Sequence, residues 1–110
     1  MLANTQGIEI RKFPRKDYNR PVGILFSGFY QKAEAIEISE GGMSFRIDVV
    51  LTVDRECVMT FKIPKGKLVC LRAVVKHMKK DQGQLIVGVA FKEVPFSNKR
   101  QIRNFIADRS

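Results

Sequence analysis

Tryptophan is absent from this 110-residue chain, histidine occurs once, at His77, and cysteine twice, at Cys57 and Cys70. A single imidazole excludes a metal centre built on two or more histidines. Any Ser/His/Asp or Cys/His site would have to use this one ring, which stands among Lys76, Lys79 and Lys80. No GxxxxGKS loop and no GxGxxG fingerprint occurs, which argues against phosphate cradles of the P-loop and Rossmann kinds. The two cysteines lack CxxC spacing. A hairpin turning over Pro64 to Gly66 sets Ile63 near Lys67 and Cys57 nearer Ala73 than Cys70, so both are expected as reduced, half-buried thiols. No apolar run approaches the roughly 18 residues of a membrane span, and the start, MLANTQGIEIRK, has no apolar stretch resembling a secretory leader. The expectation is a cytoplasmic protein, or a domain cut from a larger one, that is not an enzyme, with no catalytic residue, no bound metal and no cofactor.

Acid is scarce as well: 20 Lys and Arg face 11 Asp and Glu, for a formal charge of +9. Such a surplus attracts an anion, whether nucleic acid, a lipid surface or a phosphorylated small molecule. The densest cluster is Arg11, Lys12, Arg15, Lys16 and Arg20, and Pro14 argues against a helix through it. Residues 1–10 read as a flexible lead-in and Arg11 to Arg20 as a loop or extended arm. A weaker group, Lys99, Arg100, Arg103 and Arg109, lies near the C-terminus. The shortage of exposed aromatics for stacking bases counts against a long nucleic acid: tryptophan is missing and many phenylalanines occupy core-directed positions.

What the chain does have is β-patterning. At 45% hydrophobic and 28% charged residues, it suits one small domain, placed at 11–110. Six short runs, VGILFS, YQKAEAIEI, GMSFRI, CVMTFKI, KLVCLRAVV and QLIVGVAF, are split by SEGG, PKG and KKDQGQ. Val69, Leu71, Ala73 and Val75 share one parity, as do Leu85, Val87, Val89 and Phe91. The fold class is therefore mainly β, a six-stranded antiparallel barrel. After Pro95, Ser97 is read as the N-cap of a closing helix over about 97–108, with Ile102, Phe105 and Ile106 as its apolar stripe.

Two stretches carry chemistry. RKFPR contains Arg11-x-x-x-Arg15, and guanidinium forks suit phosphate oxygens and the O6/N7 edge of guanine. In AEAIEISEGGMSF, Glu37-x-Ser39-x-x-Gly42 sets an acceptor, a hydroxyl and a residue without Cβ at a strand end, where Gly41 and Gly42 permit positive φ and close approach. Alone, that stretch is either a hairpin turn or the seat of a ligand.

In this order, about twenty residues apart, the two motifs resemble those of the PilZ domain family, RxxxR followed by (D/N)xSxxG. The resemblance runs from RKFPR through IEISEGGMSF, FKIP, AVVK and GVAF to the terminal helix. It implies a bacterial six-stranded barrel that binds the second messenger cyclic di-GMP, usually as an intercalated dimer. Arg11 and Arg15 would grip phosphates and guanines with Lys12 as helper, Glu37 would accept from guanine N–H groups, and Ser39, Gly41 and Gly42 would line the floor. Binding would order the arm and change what a downstream protein partner meets. The chain departs from the pattern at Glu37, a carboxylate one methylene longer than the family's Asp or Asn. A second reading keeps the barrel and gives the arm to a protein partner without ligand.

Overall fold

The structure, a computed structural model, describes residues 14–108. The lead-in and the arm residues Arg11 and Lys12 lie outside the described residues. Among the described residues, seven strands and one helix follow in order: β1 (Arg15–Asp17), β2 (Pro21–Phe26), β3 (Phe29–Ser39), β4 (Gly42–Ile47), β5 (Glu56–Lys62), β6 (Leu68–Asp81), β7 (Gln84–Lys92) and α1 (Phe96–Ala107). The last six strands pair antiparallel in the cyclic order β3-β2-β5-β6-β7-β4, and β4 returns to β3 to close a six-stranded barrel.

The seventh strand departs from the reading of the arm as a loop or extended segment. β3 has 11 residues and its neighbour β2 has 6, so the far end of β3 would keep unpaired backbone groups on that edge. β1 covers them, with Arg15 opposite Ser39, Lys16 opposite Ile38 and Asp17 opposite Glu37. Tyr18 and Arg20 continue the pairing onto Ile36 and Ala35.

Side-chain parity is reset twice. Along β3, Ala33 and Ala35 face the core, the register slips at Ile36, and Ile38 then faces the core, leaving Glu37 and Ser39 outward. Along β6, Leu71, Ala73 and Val75 face inward, the register slips between Val75 and His77, and His77 emerges outward opposite Gly88. Each slip is a β-bulge, the device that turns a strand's side chains to the other face. β6 also runs to Asp81, six residues past the end expected at Val75.

The core is aliphatic with aromatic members. Ile24, Phe45, Met59, Val75 and Val87 are fully buried. The tight hairpins at Ser27-Gly28 and Gln82-Gly83 hold both of their residues at positive φ, as a two-residue type I′ turn requires. Cys57 pairs with Ala73 as expected, but the thiols are not alike: Cys57 is buried and burial pushes its thiol up to about 11, while Cys70, opposite Thr60, is exposed.

The helix begins at Phe96, and its N-cap is Pro95 rather than Ser97. Proline at φ −58° enters the helical turn without needing a side-chain cap, and its carbonyl accepts the N–H groups of Asn98 and Lys99, each at 3.0 Å. Ile102 is buried, with Phe105 and Ile106 packed beside the core, so the apolar stripe lies against the barrel.

The glycines of SEGG have a structural task. An ideal Cβ on Gly42 would lie 2.1 Å from the carbonyl oxygen of Val89, and Gly41 accepts the N–H of Phe91 at 2.9 Å. What comes close at this turn is the backbone of β7. Neither residue takes positive φ; among the described glycines Gly28 and Gly83 do. Gly42→Ala is expected to lower stability by about 1–3 kcal/mol through overpacking against backbone. Urea unfolding should show a lower midpoint with an unchanged slope.

Candidate ligand-binding site

The register of β1 on β3 brings the two motifs together. Arg15 lies directly opposite Ser39, and its guanidinium donates to Glu37 Oε1 at 3.3 Å. Both side chains remain partly open, at 41% and 37% exposure, so this is a surface ion pair of modest strength and readily exchanged. Ser39 Oγ accepts the N–H groups of Gly41 and Gly42, each at 3.2 Å. The hydroxyl thereby fixes the turn that carries the glycines. Arg15, Glu37, Ser39 and the Gly41-Gly42 turn thus converge on one outward face, while Arg11 and Lys12 lie outside the described residues.

The residues between the outward ones take a different partner. Lys16, opposite the inward-facing Ile38, reaches the C-terminal end of α1. Its ammonium donates to the carbonyl of Phe105 at 2.9 Å and to that of Asp108, and stands 4.3 Å from the centroid of the Phe105 ring. These carbonyls belong to the helix end, where intrahelical donors run out and a cation is favoured. Glu40, next after Ser39, takes Arg103 of α1 in a two-pronged pair, Nε to Oε2 at 3.1 Å and Nη2 to Oε1 at 2.9 Å. The Arg103 hydrogen bond holds the Glu40 carboxyl below its ordinary range. Tyr18 roots the arm from within: its hydroxyl donates to the carbonyl of Lys62, and its ring meets Phe61 and Phe105 edge-on at 6.0 and 5.8 Å. Burial raises its phenol pKa.

A groove of about 310 Å³ lies beside β1, lined among others by Lys16, Arg20, Pro64, Lys65 and Phe105. Glu37, Ser39 and Gly42 do not line this groove. Among the described residues no group of three or more His, Cys, Asp or Glu is placed to hold a metal ion, and no helix is long and apolar enough to cross a membrane.

A family model, that of the PilZ domain, matches residues 9–108. The chain belongs to the PilZ domain family. No curated protein matches its sequence significantly. Several solved structures share the fold of this PilZ domain. The inhibitor of motility MotI/DgrA of Bacillus subtilis superposes with a TM-score of 0.81 at 14% identity, covering 87% of this chain and 49% of that one. YcgR of Escherichia coli, solved in complex with cyclic di-GMP, gives 0.74 at 14% identity, with 87% and 44% covered. The MrkH complex with cyclic di-GMP from K. pneumonia gives 0.75 at 18% identity, with 89% and 51% covered. The chain therefore spans about half the length of these structures. At such identities the likeness is one of fold.

Sequence reasoning on the PilZ motifs reached Arg15, Glu37, Ser39 and the glycines but missed Lys16, Tyr18, Glu40 and Arg103 as parts of one assembly. Lys16 and Tyr18 would have stood out only if Arg15 to Asp17 had been read as a strand, since alternation then turns them inward. Nothing local to Glu40 or Arg103 signals a pair 63 residues apart.

Acid should loosen the helix before the barrel. The Glu40 carboxyl has a folded pKa below its ordinary value of 4.5, so its contribution is complete above that value and is lost as pH falls through the depressed one. Lys16→Met should have a like effect at pH 7: faster amide exchange over Arg103 to Ala107, with amides of β5 and β6 unchanged. Equal acceleration in both regions would contradict a local clamp.

Proposed function

We propose that this domain is a cyclic di-GMP receptor acting in the cytoplasm, a binding module and not an enzyme. The observation that carries the reading is the β1–β3 register, which sets Arg15 opposite Ser39 beside the Gly41-Gly42 turn. The family match and the cyclic di-GMP complexes of YcgR and MrkH supply the ligand. Arg15 takes a phosphate or a guanine edge through its planar fork, and Arg11 and Lys12 close over the ligand from the arm. Ser39, already an acceptor of two backbone N–H groups, keeps the floor rigid beneath it.

Glu37 sets the entry condition. It pairs with Arg15 in the free protein, so an incoming phosphodiester, itself singly charged, must displace one carboxylate from the guanidinium. The exchange also provides the output. Arg15 and Lys16 are adjacent in β1, as are Ser39 and Glu40 at the turn, so ligand held by the first of each pair pulls on the helix held by the second. A downstream protein partner then meets a reordered arm and helix end, a disorder-to-order signal of the kind found in switch segments.

Isothermal titration with cyclic di-GMP, with GTP and cyclic di-AMP as controls, is expected to give micromolar or tighter, guanine-selective binding. Arg15→Ala should weaken it by about 10- to 150-fold, the equivalent of a charge-assisted contact, with the fold intact. Glu37→Asp, which shortens the competing carboxylate, should tighten binding by up to about 5-fold. A folded protein that gives no heat and no shift by a second method would favour the second reading, an interaction module in which the Arg15–Glu37 pair is permanent.

A further inference from the structure

The barrel has two ends, and the arm and α1 belong to one of them. At the other lie the β2–β3 hairpin tip, the β4–β5 connection and the β6–β7 hairpin tip. β4 stands between β3 and β7 while β5 stands between β2 and β6, so the connection over residues 48–55 crosses the barrel mouth. Its Leu51 is buried and plugs the core. Hydrogen bonds tie the connection to both neighbours: Arg55 donates to Ser27 Oγ of the β2–β3 tip, and the N–H of Asp54 donates to the carbonyl of Val75 at 2.8 Å.

The outer side of this end is apolar. Leu25, Phe29, Tyr30, Val50 and Val53 are exposed here, and among the described residues only Leu68 and Phe96 are large hydrophobics exposed elsewhere. Phe29 shares the parity of the inward Ala33 and Ala35, yet it is 69% exposed. Val50 is 79% exposed beside the buried Leu51, and Val53 sits within the turn that the N–H of Arg55 closes on the carbonyl of Thr52. The hairpin tip is open, since an ideal Cβ on Gly28 would meet nothing within 4 Å. Tyr30 is set differently: its hydroxyl lies 2.5 Å from where a Cβ on Gly23 would be, so the polar end of the ring points back along the barrel wall, away from the tip.

Cations frame these residues. Lys32 stands on the outer wall two positions after Tyr30, Arg55 lies beside the hairpin tip, and Lys76, Lys79 and Lys80 occupy the part of β6 that runs past its pairing with β5. None of the five makes an ion pair with another described residue. The acids of this end are engaged instead: Asp81 takes Arg46 at 3.0 Å, Glu56 takes Lys92 at 3.0 Å and Arg72 at 3.6 Å, and Asp48 accepts from Gln84 at 2.8 Å. Asp54 is the exception. Unpaired positive charge therefore surrounds an apolar tip.

We propose that this end of the barrel docks on an anionic lipid bilayer, a role separate from the receptor reading above. Phe29, Val50 and Val53 enter the boundary of the acyl chains. The Tyr30 ring lies at headgroup level with its hydroxyl turned toward water, the placement its amphipathic ring favours at such an interface. The five cations meet lipid phosphates. Interfacial binding grows with buried apolar area and with attraction to anionic headgroups, and this end supplies both. Its apolar side chains are carried on a hairpin tip and a turn, a form that a fluid surface fills around and that a rigid partner could match only with a shaped pit. With this end on a bilayer, the arm and α1 face away from it and stay open to ligand and partner.

Co-sedimentation of the full-length protein with vesicles tests this. Vesicles of phosphatidylglycerol and phosphatidylcholine in equal parts are expected to carry the protein down, less so as salt is raised, and phosphatidylcholine vesicles to leave it in solution. Phe29→Ala removes no charge and should weaken partitioning by about 5- to 20-fold, with Val50→Ser acting in the same direction. Replacing Lys79 and Lys80 together by alanine should cost about 25-fold, whereas the same loss of charge at Lys99 and Arg100, on the helix at the other end, should cost about 2-fold. Equal losses from the two double variants, or unchanged partitioning in both Phe29→Ala and Val50→Ser, would reduce the binding to diffuse attraction and overturn the proposal. Absence of binding to the anionic vesicles overturns it too, and a dimer that Phe29→Ala dissolves would then assign the face to a second copy. Titration of Phe29→Ala with cyclic di-GMP should match the unaltered protein, so the receptor reading stands or falls by its own experiment.

Discussion

One extra residue in β3 governs the outer face of this protein. A strand has a period of two, so the inward sequence Ala33 and Ala35 would carry Glu37 and Ser39 into the core were it not reset at Ile36. Burying a carboxylate among Met43, Phe45 and Val89 is not an available solution, and the reset delivers Ile38 to that space in its place. The polar residues are then left outside, opposite β1. The barrel closes just beyond, where Gly42 admits the carbonyl of Val89 at a distance no side chain tolerates. Closure and site are consequences of the same short stretch.

The alternation that follows divides labour between neighbours. In β1, Arg15 and Asp17 face outward with Glu37 and Ser39, whereas Lys16 turns toward the helix end. At the β3–β4 turn the next residue after Ser39, Glu40, holds Arg103. The helix is thus gripped at two points by residues covalently adjacent to those of the outer face, and Tyr18 fixes the arm between them through Phe61 and Phe105. Peptide geometry leaves little slack between adjacent residues, so a shift on one face is felt on the other.

Much of this was legible in the chain because β-barrels advertise themselves by parity and punctuation. All six barrel strands sit within a few residues of their expected starts, and the Ile63–Lys67 hairpin was fixed by PKG alone. What escaped notice was the unpatterned. A bulge is one residue long and alters no composition, so neither Ile36 nor the slip before His77 could be seen, and β6 was ended at Val75 where its alternation broke. Three residues of β1 are too few for periodicity and are a strand only because β3 outruns β2. Ser97 satisfied a capping preference that Pro95 made unnecessary. SEGG was read as either a hairpin turn or the seat of a ligand; at Gly42 it is the backbone of β7 that comes close, and neither glycine takes positive φ.

The brevity of β1 has a cost in solubility. Three residues cover the edge of β3 from Glu37 to Ser39, and a strand this short holds its place largely through the anchors at Lys16 and Tyr18. Whenever it lifts, a row of unpaired N–H and C=O groups is uncovered on a chain whose neighbouring strands are rich in β-formers. Such an edge accepts any strand of suitable length, including β1 from another molecule, so exchange of arms between copies and edge-to-edge aggregation are the failure modes of this architecture. The high positive charge of the chain opposes both by keeping copies apart.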